Sequence, residues 1–207
     1  MANVTDEELE ERAYRLLLRT LEWTLAKVVG KVVDKSSLRQ HLAGHSFHLA
    51  IDLIGGVRTL VLEKQRSASF VLMRSIVENS LRGFWFSYVA TDEQIKQYSV
   101  GRMTNTTKAI AAEIQKKGFE KDCKFALSHP VFTHLDQLTH GGVEHLALRD
   151  EESASRKIGP VQLSGLMLIL CSSYLIFLVD YILRVVHEDL VGADFAYKEG
   201  CELYHLD

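Results

Sequence analysis

Apolar positions along this chain recur at mixed three- and four-residue steps, and that spacing predicts one helix after another. Leu9, Tyr14, Leu17, Leu18, Leu21, Leu25 and Val28 form the first stripe, behind a Thr5–Glu8 capping box and ending near Gly30. A second helix starts at Ser36 or Ser37 and carries Leu42, Phe47, Ile51, Ile54, Val57 and Leu60. Gly55 and Gly56 lie inside it. Each glycine costs a helix about 1 kcal/mol relative to alanine, so the pair predicts a kink or the close approach of another helix. A break at Lys64-Gln65 leads to a third helix over 66–88, and so short a connection makes the two antiparallel neighbours.

The Thr91-Asp92-Glu93 cap opens a fourth helix, predicted to run to Lys117 and stop at Gly118, with a short helix over 120–127 behind it. Residues 128–159 read as a loop-rich insertion with one helical piece over 132–138. They hold four of the nine histidines: His129, His134, His140 and His145. The last long helix runs from Pro160, suited to a first turn, to His187, and a polar tail follows. The expected fold is all-α: a single domain over 1–207, built as an antiparallel bundle of four long helices plus short ones. Only Pro130 and Pro160 interrupt the chain, which suits long helices.

The third helix carries the sharpest chemistry. Arg74, Glu78 and Arg82 stand four residues apart and form one row, with Phe70, Met73, Ile76, Val77, Leu81, Phe84 and Trp85 around it. A buried charge is costly unless paired, so the row is either an ion network that fixes register or the floor of a polar site. Glu78 is expected to be paired with an arginine and largely buried. In the functional reading Arg74 and Arg82 bind an anion such as phosphate while Glu78 orients one of them or acts as base.

Thr139-His140-Gly141-Gly142 is the second candidate, because glycines after a histidine let the backbone approach a ligand closely. Its alternative is an ordinary helix end. Arg74 and Arg82 offer more N–H donors than Glu78 can accept, which predicts that His140 lies near one of them. His41, His45 and His48 share a face of the second helix, but no HExxH or complete ligand set accompanies them. No metal and no cofactor are expected.

Cys123, Cys171 and Cys201 form no CxxC pair, which fits a reducing cytoplasm, and no secretory signal opens the chain. The formal charge of −3 gives no global attraction to nucleic acid, so any RNA contact needs a local basic patch. The run over 161–179 has no charged residue and nearly the length of a membrane span. It reads as the core helix of a soluble bundle without stable membrane insertion, and a membrane segment is the alternative.

The segment KQRSASFVLMRSIVENSLRGFWFSYVATDEQI resembles the central part of an uncharacterised family of bacterial helical proteins. The matching positions are Arg74, Glu78, Arg82, Trp85, Ala90 to Glu93 and Thr139 to Gly142. Such families are in turn similar to HEPN-type proteins, helical bundles, often dimers, that include RNA-cleaving toxins and phage-defence components. Their nuclease motif, an arginine followed after four to six residues by a histidine, has one match here, Arg39 to His45, earlier in the chain than the family places it.

The resemblance implies a cytoplasmic homodimer and a toxin- or defence-associated, metal-independent RNase with RNA as substrate and a cognate antitoxin as partner. In that reading His140 is the acid/base, Arg74 and Arg82 hold the phosphate, Glu78 orients them, and Thr139 and Gly141 contact the ligand. The alternative, from a different class, is a non-catalytic helical binding module for a small anionic ligand or a partner protein.

Overall fold

The structure is a computed structural model that describes residues 5–30, 37–102, 105–125 and 160–205. The described residues are 83% helical and contain no strand. The insertion expected over 128–159, with its helical piece, lies outside them.

α1 (Asp6–Val28) opens with the expected capping box: Thr5 Oγ1 accepts from the Glu8 amide at 3.2 Å, and Glu8 returns a bond to the Thr5 amide at 2.9 Å. α2 (Leu38–Leu62) is capped by the Ser37 hydroxyl. Of its two glycines, Gly56 faces α3, where a Cβ would meet Leu72 Cδ1 at 3.2 Å, whereas Gly55 has open space around it. Lys64 turns the chain in a left-handed conformation, φ 57°, and α3 (Arg66–Tyr88) returns along α2.

The expected fourth helix is two. α4 (Asp92–Ser99) ends before Gly101, whose φ of 69° suits glycine and breaks the helix, and Thr106 caps a fresh start for α5 (Thr107–Lys116). The helix expected over 120–127 is absent from its described part, where 120–125 form turns. Tyr181 explains this, since its hydroxyl engages the backbone of both Asp122 and Lys124 and holds the chain open.

α6 (Pro160–Tyr181) lies along α1 and continues into a π turn, Ile182–Val186. The tail expected to be merely polar is α7 (Leu190–Glu202), followed by a short 3-10 turn, Leu203–His205. The Asp189 side chain caps α7, and the residues it buries are Ala193, Ala196 and Gly200. Small side chains let α7 sit close on Ile176 and Trp23, and they left no apolar stripe to read.

One hydrophobic core draws on α1 through α7, with Phe47, Phe84, Trp85, Phe86, Leu168 and Leu175 fully buried. α6 together with its π turn is long and apolar enough to cross a membrane, yet 72% of its most apolar stretch is buried inside the protein. At one end of the core, Glu10 of α1 accepts a two-pronged bond from Arg66 of α3, at 2.7 and 2.6 Å. At the other end, α3, the 117–125 turns, the π turn and α7 leave a cavity between them.

Candidate functional site

Arg74, Glu78 and Arg82 share one side of α3, as four-residue spacing requires. Arg74 Nε donates to Glu78 Oε1 at 2.9 Å. Their side chains are 30% and 24% exposed, so the pair is half-buried, not sunk in the core as expected. The helix turns Met73, Ile76, Val77, Ser80 and Phe84 into the core on its far side, which leaves the row at the edge of the packing. Trp85, one turn past the row, is fully buried and donates to Glu113 Oε2 at 2.7 Å, tying α5 to α3.

Glu78 serves Arg74, and Arg82 is left over. Its Nε is sealed from solvent and has no hydrogen-bond partner among the described residues. His140, Thr139 and Gly141 lie outside the described residues, and with them the proximity expected between His140 and the two guanidiniums.

In the Arg39 to His45 match to a nuclease motif, Arg39 makes structural bonds and His45 is exposed. Arg39 donates to the Phe86 carbonyl at 2.5 Å and to Asp92 at 2.8 Å, joining α2 to the end of α3 and the start of α4. His41 and His45 meet edge to face with ring centroids 4.3 Å apart. His48 is pushed below the usual histidine range by burial and by His45, with Asp52 opposing. Among the described residues no group of three or more histidine, cysteine, aspartate or glutamate side chains could hold a metal ion.

The cavity at the far end of α3 has a volume of about 370 Å³, within the size range of small-molecule sites. Phe84 and Tyr88 of α3, Phe119, Tyr181 and Tyr197 supply aromatic walls. Tyr88 and Phe119 have ring centroids 6.1 Å apart, and Tyr88 and Tyr181 6.3 Å apart. Lys121, Asp122 and Lys124 stand exposed at the mouth, and Asp180 and Arg184 reach in from α6 and the π turn.

Asp180 is the most confined charge of the cavity, its side chain 9% exposed. Its Oδ1 accepts from Arg184 Nε at 2.8 Å. Burial raises the Asp180 carboxyl above the usual range, against the pull of Arg184 and Lys124. Tyr88 is raised too, by burial and by Asp180. The Arg184 fork also reaches Asp194 of α7, so one guanidinium bridges two carboxylates. The π turn widens the helix at Arg184, and such turns recur at functional sites.

Sequence reasoning used Asp180 only as the boundary of an apolar run. The signal was there: Asp180 and Arg184 stand four apart at the end of an uncharged helix, the same pattern that singled out Arg74 and Glu78. Tyr88, Phe119 and Tyr197 come from separate segments and form no motif, so only folding brings them together.

No curated protein and no solved structure matches this chain. A family model matches residues 47–182, a span that includes α3, its polar row, Tyr88, Asp180 and Tyr181. The chain therefore belongs to that family, described as a family of unknown function (DUF6988).

Proposed function

We infer that the α3 row is an anion site, taking a phosphate group, in an HEPN-like antiparallel bundle of four long helices. The observation that carries this reading is Arg82 Nε, a donor closed off from solvent and without an acceptor among the described residues. An unmet buried donor costs about 1–3 kcal/mol, more where it belongs to a charged group. A phosphate oxygen suits a guanidinium fork best. Glu78 holds Arg74 in place at 2.9 Å, so the second cation of the site is oriented in advance.

Phosphate titrated at constant ionic strength tests it. Wild-type melting temperature rises with phosphate by mass action, and the rise disappears in Arg82→Met. Equal shifts in the two proteins would discard the site.

The catalytic form of the same reading is metal-independent RNA cleavage. His140 is the acid/base, Arg74 and Arg82 hold the scissile phosphate, Glu78 orients them, Thr139 and Gly141 contact the ligand, and the RNA 2′-hydroxyl attacks. Its support is the resemblance of the α3 segment to HEPN-like bacterial proteins, joined to one fixed guanidinium and one whose Nε lacks a partner among the described residues. The corresponding partners are RNA, a cognate antitoxin and a second copy of the chain in the cytoplasm. Exposed Leu190, Val191 and Phe195 on α7 favour the second copy. His140→Ala keeps the helical signal and loses RNA cleavage in the presence of a chelator. Cleavage that survives the substitution removes the catalytic form and leaves the binding module.

A further inference from the structure

We propose that the cavity between α3, the 117–125 turns, the π turn and α7 is a second ligand site, and that it takes a guanine mononucleotide. Asp180 lines the cavity with one oxygen on Arg184, and its carboxylate has room to accept further donors from a ligand.

Arg184 is taken up by Asp180 and Asp194, which leaves Lys121 and Lys124 for an anionic group of the ligand. A ligand that joins a neutral N–H edge to an anion matches that lining better than a simple amine does. Paired N–H donors facing a carboxylate describe the Watson–Crick edge of guanine, whereas adenine presents a ring-nitrogen acceptor there and would clash electrostatically.

The remaining features fit the rest of such a molecule. Tyr88 and Phe119 provide faces for a planar base, a contact worth about 1–3 kcal/mol where bases stack on aromatic rings. Lys121 and Lys124 at the mouth suit a phosphate, and Lys124 Nζ already lies 5.4 Å from the Tyr197 ring centroid, held over the opening. Aromatic wall, Asp180 and lysines thus line one cavity and offer a counterpart to base, donor edge and anion. None of these residues belongs to the α3 row, so this site stands or falls apart from the anion site there.

Calorimetric titration of the full chain with GMP, AMP and guanosine tests it. GMP is expected to bind with a dissociation constant in the micromolar range and at least about tenfold more tightly than either AMP or guanosine. The double variant Lys121→Glu, Lys124→Glu changes only exposed side chains and is expected to weaken GMP by about tenfold or more. Asp180→Asn is expected to erase the preference for GMP over AMP. Because that residue is buried, its reading counts only with an unchanged helical signal, and the lysine pair carries the test otherwise.

No GMP binding at concentrations on the order of 1 mM, equal affinity for GMP and AMP, or indifference to the lysine pair overturns the proposal.

Discussion

The Tyr181 hydroxyl donates a hydrogen bond to the Asp122 carbonyl at 2.5 Å, across 59 residues of sequence. It accepts one from the Lys124 amide at 3.1 Å, so a single phenol fixes the 120–125 turns over the end of α6. Burial raises the Tyr181 phenol far above its ordinary range, which keeps it a donor at any working pH. Tyr181→Phe keeps the ring and deletes the clasp. The expected loss is about 1–2 kcal/mol, since water re-satisfies the freed backbone groups at this exposed turn. Hydrogen exchange at the Lys124 amide should quicken in the same variant. Unchanged exchange there would show that the turns hold without Tyr181.

Gly83 and Gly55 make a paired test of helix contact. A Cβ on Gly83 would lie 2.4 Å from Phe47 Cε1 and under 3 Å from two more ring atoms, and Phe47 is fully buried. Gly83→Ala therefore overpacks the α2–α3 contact and is expected to cost about 2–3 kcal/mol. Gly55 has nothing within 4 Å, so Gly55→Ala gains about 0.5–1 kcal/mol from helix propensity alone. Urea unfolding of both variants checks the signs, and the pair must differ in sign for the packing to be as described.

Local signals were legible wherever a single side chain acts on its own backbone. Thr5, Ser37 and Thr91 each cap the helix their position announces, and Gly118 follows α5 with φ 80°. The signals that failed are tertiary. Nothing near residue 122 reveals that Tyr181 will claim its carbonyl, and α7 buries alanine and glycine, which carry too little apolar weight to mark a face. Of the α3 row, membership and the Arg74–Glu78 pair were legible, but depth was not, because exposure depends on what packs beside the helix. The cavity was hidden for the same reason.

The three cysteines separate by accessibility. Cys171 is fully buried, 3.5 Å from Met73 Sδ, and burial pushes its thiol up to about 12. Cys123 is pushed up to about 11 by burial, while Cys201 is exposed on α7. Since the thiolate is the reactive form, a disulfide reagent near pH 8 should label Cys201 at once. The other two should react only through opening of the fold, and mass spectrometry of timed samples gives the order. Rapid labelling of Cys171 would contradict the packing of α6 on α3.

Half-burial sets the strength of the Arg74–Glu78 pair. With both side chains about a quarter exposed, solvent screens much of the attraction. A double-mutant cycle with Arg74→Ala and Glu78→Ala should return a coupling of about 0.5–1 kcal/mol, not the 3–5 kcal/mol of a sealed ion pair. The cycle run in high salt should shrink further. A coupling above about 2 kcal/mol would mean that further chain closes over the row in solution.

Glu10 and Arg66 give a pH signature whose sign can be worked out. Burial alone would raise the Glu10 carboxyl, but the two bonds from Arg66 and its charge outweigh it, and the net shift is downward from 4.5. The folded protein therefore releases the Glu10 proton more readily than the unfolded chain. Stability from this pair is fully present above pH 4.5 and is lost as pH falls through the lower folded value. Asp180 works in the opposite direction, since its folded carboxyl is raised, so total stability against pH mixes the two.

Comparison with Glu10→Gln isolates the first, because glutamine keeps an acceptor for Arg66 and drops the charge. At neutral pH the variant should be less stable by about 1–2 kcal/mol, the increment of a charge-assisted bond to a partly screened partner. Urea midpoints taken from neutral down through pH 4 should bring the two proteins together. A gap that stays constant across that range would mean that Glu10 contributes by shape and not by charge, and the link from α1 to α3 would then rest on packing alone.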